Sequence, residues 1–188
     1  MSTWKIDPAH TDVAFSARHM MVTTVRGKFD AVDGEIELDE ANPTATTGQI
    51  RVSAASLSTG FGARDEHLRS ADFFDAENHP DIVARLVSVE PKGDDDYRVT
   101  ADVTIRGVTR PVTFEAKLNG IVPGMRGGRH AGFHLVGKVN REDWGLNWNV
   151  ALEAGSWLVG REIKLDIDVA LDEVAVAAET VTPVGAAA

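Results

Sequence analysis

Apolar and polar residues alternate with a period of two along most of the chain. From Tyr97 to Ile105, the residues Tyr97, Val99, Ala101, Val103 and Ile105 fall on one side, and Arg98, Thr100, Asp102 and Thr104 on the other. Val112, Phe114, Ala116 and Leu118 alternate with Thr113, Glu115 and Lys117. Ile163, Leu165, Ile167, Val169 and Leu171 alternate mostly with Lys164, Asp166 and Asp168. Weaker versions of the pattern run over Val13–Ala17, Val32–Leu38, Gln49–Ala55, Ile82–Val89 and Phe133–Asn140. Successive side chains of a strand point to opposite faces, so each stretch predicts a strand with one apolar and one wet face.

Turn-forming residues punctuate these runs. Pro91-Lys92-Gly93-Asp94-Asp95-Asp96 predicts a hairpin loop, Arg106-Gly107-Val108-Thr109-Arg110-Pro111 turns the chain between two clean strands, and Asn42-Pro43-Thr44 separates two others. About eight strands with short connections point to an all-β antiparallel barrel or sandwich. One segment departs from the period. Gly62 to Phe74 has helix-tolerant composition with Leu68 and Ala71 at i,i+3 spacing, which predicts a short helix. A second helical turn is expected at His19-Met20-Met21. After Val174 the chain is mostly Ala, Val, Thr and Gly without a period. The expected organisation is therefore one domain over residues 1–174 and a flexible C-terminal tail over 175–188.

Composition narrows the function classes. The chain has 188 residues, 43% of them hydrophobic and 26% charged, which suits one soluble domain with a substantial core. A formal net charge of −10 argues against nucleic acid as a partner and against tight docking on anionic membranes. With no cysteine, disulfides, thiolate metal sites and cysteine nucleophiles are excluded. No apolar window reaches the roughly 18 residues of a membrane span. The start of the chain shows no secretory signal, so a cytoplasmic location is expected.

Candidate chemistry is sparse. Arg64-Asp65-Glu66-His67 is the most polar cluster on the expected helix, but Asp65 and His67 are two apart and face different directions. A structural network of Arg64 or Arg69 with Asp72, Asp75 or loop carbonyls is the expectation there. Ser56 and Ser58 lack a nucleophile-elbow context. Gly60-Phe61-Gly62 is too short for dinucleotide binding. The six histidines show no metal-ligand spacing: His130 and His134 lie roughly 13 Å apart on a strand, and the others are scattered. No catalytic residue, no metal site and no required cofactor are expected, and His10 reads as a buried hydrogen-bonding residue near the start of the barrel.

Four stretches carry a resemblance. They are Trp4-Lys5-Ile6-Asp7-Pro8-Ala9-His10-Thr11 with Val13-Ala14-Phe15-Ser16; His19-Met20-Met21-Val22 leading to Val25-Arg26-Gly27-Lys28-Phe29; Leu57-Ser58-Thr59-Gly60 with Arg64-Asp65-Glu66-His67-Leu68-Arg69-Ser70-Ala71-Asp72-Phe73-Phe74-Asp75; and Thr104-Ile105-Arg106-Gly107-Val108-Thr109-Arg110-Pro111-Val112 with Asn140-Arg141-Glu142-Asp143-Trp144-Gly145-Leu146 further on. In this order they resemble the YceI-like family of lipid-binding β-barrels, over nearly the whole chain up to about Leu171. Thr11 stands where the family usually has Ser. Many members carry a signal peptide, and none is expected here.

The resemblance implies a lipocalin-like antiparallel barrel of about eight strands with one or two short helices. It implies a long apolar lipid inside, a polyisoprenoid or isoprenoid quinone, a homodimer, and no enzymatic activity. Alternation and resemblance together nominate as ligand-binding Phe15, Met20, Met21, Val22, Phe29, Phe61, Arg64, His67, Leu68, Phe73, Phe74, Val103, Phe114, Trp144 and Ile167. Phe61, Leu68, Phe73 and Phe74 read either as a lid over the barrel mouth or as a plug, and Trp144, Trp148 and Trp157 as mouth residues or core anchors. The alternation alone fits a filled core as well as a hollow one. A stress-related interaction barrel with a filled core, or a small enzyme acting on an apolar substrate, are the competing readings.

Overall fold

The computed structural model describes residues 1–125, 127–152 and 156–174. Eleven strands form one antiparallel sheet. They are β1 (Ser2–Ile6), β2 (Asp12–His19), β3 (Thr23–Phe29), β4 (Val32–Leu38), β5 (Thr47–Ser53), β6 (Leu57–Ser58), β7 (Asp81–Pro91), β8 (Asp96–Ile105), β9 (Val108–Pro123), β10 (Arg129–Asn140) and β11 (Val159–Glu173). One helix, α1 (Gly62–Arg69), interrupts the series. The sheet order ends with β1 returning to β11, which closes the ring.

The count of eleven reduces to eight walls because three walls are broken strands. β1 and β2 both lie against β11, with Ile6 opposite Leu171 and Val13 opposite Ile167. β4 and β3 follow them as one bent neighbour, and β5 and β6 as the next. The breaks line up across three adjacent walls and turn the sheet there. At the first, the Asp7 N–H donates to the Ala170 carbonyl at 2.9 Å, and the Thr11 hydroxyl accepts the Ala170 N–H at 3.0 Å. A side-chain oxygen thus replaces a missing rung of the ladder. That explains why a hydroxyl residue suits position 11, as either Thr or Ser.

The expected strands are all present, with three register shifts. A bulge between Leu86 and Ser88 leaves Val87 outside at 59% exposure while Ile82, Ala84 and Leu86 face inward. A second leaves Asn119 of β9 as an extra residue opposite Gly132 and Phe133, and a third lies on β11 between Val159 and Ile163. Arg106 and Gly107 make the two-residue turn between β8 and β9, both with positive φ (50° and 74°), as a mirror-image hairpin turn requires. The expected helix is shorter than Gly62–Phe74. It stops at Arg69, where Ser70 takes an extended conformation (ψ 173°) and donates its N–H to the Glu66 and His67 carbonyls. The helical turn expected at His19-Met20-Met21 is corrected. Met20 and Met21 have φ of 49° and 63° and form the tip of the β2–β3 hairpin, because the adjoining strands pair up to His19 and Thr23. The tail expected over 175–188 lies outside the described residues. Among the described residues no helix is long and apolar enough to cross a membrane.

One end of the barrel is sealed. Trp4 has no exposed surface and sits among Ile6, Ala131, Val169 and Leu171. The Arg129 guanidinium lies over the Trp4 ring at 5.2 Å and bonds Glu173 through two nitrogens (2.8 and 2.7 Å) and Glu40 at 2.7 Å. These contacts hold the Glu173 carboxyl below its usual range. Because β1 closes the ring through Trp4 opposite Glu173, Trp4→Ala is expected to lower stability by about 3–5 kcal/mol in urea unfolding.

A hollow barrel and its lid

The inward faces do not meet in the middle. Two separate buried clusters form: one around Trp4, Phe29, Leu57 and Leu171, the other around Phe73, Ala101, Phe114 and Trp144. Leu68, Phe74, Leu135 and Ile167 touch both, and between them lies an apolar cavity of about 590 Å³. Many inward residues stay only half-buried for this reason, among them Val13, Phe15, Ile50, Ile82, Leu165 and Ile167. In a filled core such residues would be close-packed. An apolar cavity of about 150 Å³ stays dry and takes up a benzene molecule. This one has about four times that room and falls within the size range of small-molecule sites, about 300–1,000 Å³.

Strand pairing sets the wall. Cross-strand neighbours Phe15 and Gly27 show how tightly it is built, since a Cβ on Gly27 would sit 2.5 Å from the Phe15 ring. The glycine lets the phenyl ring lie flat on the adjoining strand. Phe15 then meets Phe29 at 5.5 Å, and Phe29 meets Phe74 edge-on at 5.6 Å.

Residues Thr59–Pro80 leave the wall between β6 and β7 and cross the open end, carrying α1. A polar knot fastens this segment. Asp65, only 6% exposed, accepts the Thr59 N–H at 2.9 Å and the Thr59 hydroxyl. Arg64 donates to the Thr59 hydroxyl at 2.7 Å and to the Thr59 carbonyl at 3.0 Å, and Arg69 donates to the Leu57 carbonyl. From the β8–β9 turn, next to the start of β7, Arg106 donates to the Phe73 carbonyl at 2.9 Å. His67 packs edge-on against Trp148 at 4.5 Å and Phe73 at 5.2 Å, and its Nε2 lies 2.8 Å from the Asp72 carboxylate. Leu68, Phe73 and Phe74 line the cavity from this segment. Phe61 both lines it and is 60% exposed, so the cavity reaches solvent beside the start of α1.

Twelve of the nominated residues lie on the cavity wall: Phe15, Phe29, Phe61, Arg64, His67, Leu68, Phe73, Phe74, Val103, Phe114, Trp144 and Ile167. Met20, Met21 and Val22 do not. They occupy the exposed hairpin tip (46, 52 and 74% exposed), because their left-handed or turn backbone points them away from the wall. Trp148 lines the cavity, whereas Trp157 is 44% exposed. His10 is a further correction: its side chain is 72% exposed, because the tight turn after Asp7 lifts it off the sheet.

Arg141 lines the cavity without having been nominated. It is 4% exposed and donates to the carbonyls of Gly160 at 3.0 Å and Leu146. Burial lowers its pKa from the ordinary guanidinium value. It braces the corner where β10 leaves for β11, and no periodicity marks such a residue. Alternation did contain the signal for Val99, Leu135, Val139 and Leu165, which also line the cavity.

Comparison with known proteins agrees with this architecture. The YceI-like domain family matches residues 4–171. UPF0312 proteins of Staphylococcus aureus are 33% identical over 167 residues, covering 88% of this chain and 95% of theirs. The crystal structure of the Campylobacter jejuni YCEI protein superposes with a TM-score of 0.73 at 29% identity, over 90% of this chain and 97% of that one. Burkholderia cenocepacia BcnA gives 0.74 at 20% identity, over 88% and 98%. A polyisoprenoid binding domain from Saccharophagus degradans gives 0.66 at 13% identity, over 93% and 100%. The match over residues 4–171, together with the closed eight-walled barrel and its short helix, places this chain in the YceI-like family.

Proposed function

We propose that the chain binds, stores or transports a long apolar lipid inside the barrel without transforming it, the lipid being a polyisoprenoid or an isoprenoid quinone. The cavity of about 590 Å³ within apolar walls carries the reading. Each buried methylene contributes about 0.8 kcal/mol, so ten of them supply roughly 8 kcal/mol before the costs of association. Shape and dryness then select the ligand class with few polar contacts. Arg64 and His67 stand beside the Phe61 opening, where a polar head would sit. The Saccharophagus degradans domain that shares the fold is described as polyisoprenoid-binding, which favours an isoprenoid chain. The homodimer implied by the family resemblance belongs to the same proposal, and no cofactor is required by it.

Two other readings fit less well. A barrel with a filled core is at odds with the half-buried inward faces. Hydrolytic or acid–base chemistry by Asp65 and His67 is disfavoured by their bonding. Asp65 is engaged by Thr59 and His67 by Asp72, on different sides of α1.

Mass spectrometry of an organic extract from the purified protein, against a blank of the same protein stripped by denaturation and refolding, is expected to show an isoprenoid or quinone at close to one per chain. An extract that is empty, and stays empty after incubation with quinones and fatty acids, would remove the carrier reading. Leu165→Trp adds bulk into the cavity from β11. Its expected effect is a loss of lipid uptake of at least tenfold with little change in thermal midpoint. A filled core would instead be destabilised by about 1–3 kcal/mol through overpacking.

A further inference from the structure

We propose that Asp7, His10, His130 and Asp172 form a binding site for a divalent transition-metal ion of the zinc type on the outer face of the barrel, at the seam of β1, β10 and β11. This site stands apart from the cavity and does not depend on the lipid reading. The residues come from three places far apart in sequence, the Asp7–His10 turn, His130 and Asp172, so ligand spacing along the chain gives no hint of the full set. The fold brings them together. His130 on β10 lies directly opposite Asp172 on β11, and its Nδ1 is 2.7 Å from the Asp172 carboxylate. Asp7 follows β1, whose Ile6 pairs with Leu171, and its N–H is bonded to the Ala170 carbonyl. Ligand atoms of Asp7, His130 and Asp172 all lie within 4.8 Å of one another.

His10 stands outside this group of three and would complete the set by turning its exposed side chain inward. The Asp7 carboxylate accepts the Ala9 N–H at 2.9 Å, which tightens the turn and returns His10 over Asp7. The His10 Nδ1 is 2.5 Å from the Asp7 carboxylate, and its ring meets that of His130 edge-on at 6.2 Å. Two imidazoles and two carboxylates suit four-coordinate zinc, with bonds of about 2.0–2.2 Å. Two carboxylates balance the charge of a divalent ion. The nitrogen donors favour zinc, cobalt, nickel or copper over magnesium and calcium, which prefer oxygen. Contraction from the present spacing falls on the most mobile members, since the His10 and Asp172 side chains are 72% and 60% exposed while Asp7 is held by two backbone bonds. The other histidine–carboxylate contacts differ. His67 faces Asp72, His79 faces Asp75 at 3.9 Å, and His134 faces Asp168 and, at 3.8 Å, Asp166, each with one imidazole. Among the described residues the Asp7 group is the one cluster of three or more such ligands this close.

The test is metal titration of the full chain without a histidine tag, read by calorimetry with Zn²⁺ and by visible absorption with Co²⁺. One ion per chain is expected, with the intense visible bands of four-coordinate cobalt. His130→Ala and Asp7→Asn should each weaken Zn²⁺ binding at least tenfold, in line with the about 10–100-fold effects seen even for residues that only support metal ligands. His134→Ala, four residues along the same strand, should leave it unchanged. Absence of stoichiometric binding, a six-coordinate cobalt spectrum, or equal losses in His134→Ala and His130→Ala would overturn the proposal. If a variant fails to fold, the wild-type cobalt spectrum decides alone.

Discussion

The structure depends on one closure: the pairing of β1 with the end of β11. It turns an open antiparallel sheet into a closed ring and fixes the number of walls at eight. Trp4 sits at this closure, fully buried, and Arg129 clamps it from outside through Glu173 and Glu40. Once the ring is closed, its diameter follows from the wall count and strand tilt rather than from side-chain volume. Side chains of ordinary size fill the Trp4 end and only line the rest, and a ring of eight walls is wide enough there to hold one small ligand.

The open end shows how a hollow barrel is kept from collapsing or flooding. β6 ends after two residues and β7 begins at Asp81, so a gap in the wall would expose the cavity. The chain between them spans that gap with a short helix whose polar residues bond to backbone at the rim: Asp65 and Arg64 to Thr59, Arg69 to Leu57. The segment's apolar residues Leu68 and Phe74 touch both buried clusters, and Phe73 belongs to the second. The helix is mostly polar and packs through few residues of its own. Its position is set by these side-chain bonds and by Arg106 holding Phe73 from the β8–β9 turn. This arrangement suits a cover that must admit a ligand while staying in register.

Much of this was legible in the sequence because a barrel interior obeys period two. The inward residues of β8, β9 and β11 were assigned from alternation, and the cavity runs along them. Alternation cannot distinguish a hollow interior from a filled one, since that depends on how many walls close the ring, and β1–β11 pairing is a contact between the two ends of the chain. Met20, Met21 and Val22 were misplaced because apolar character suggested the interior, while two left-handed residues at a hairpin tip put them in solvent. His10 was misjudged for a similar reason: Asp7 shapes a turn that lifts it outward. Arg141 went unnoticed because its role, bonding carbonyls at a strand exit, leaves no periodic trace.

The central claim is that the interior is an apolar void that a lipid fills. The most direct measurement is the thermal unfolding midpoint of the delipidated protein as an isoprenoid quinone is added in dispersed form. Binding to the folded state alone stabilises by about 2.7 kcal/mol at a hundred times Kd, which corresponds to roughly 5–10 °C for a chain of this size. A midpoint that climbs with ligand concentration to this extent agrees with the account. A midpoint that stays flat across the titration, for the quinone and for a plain polyisoprenoid alike, would contradict it.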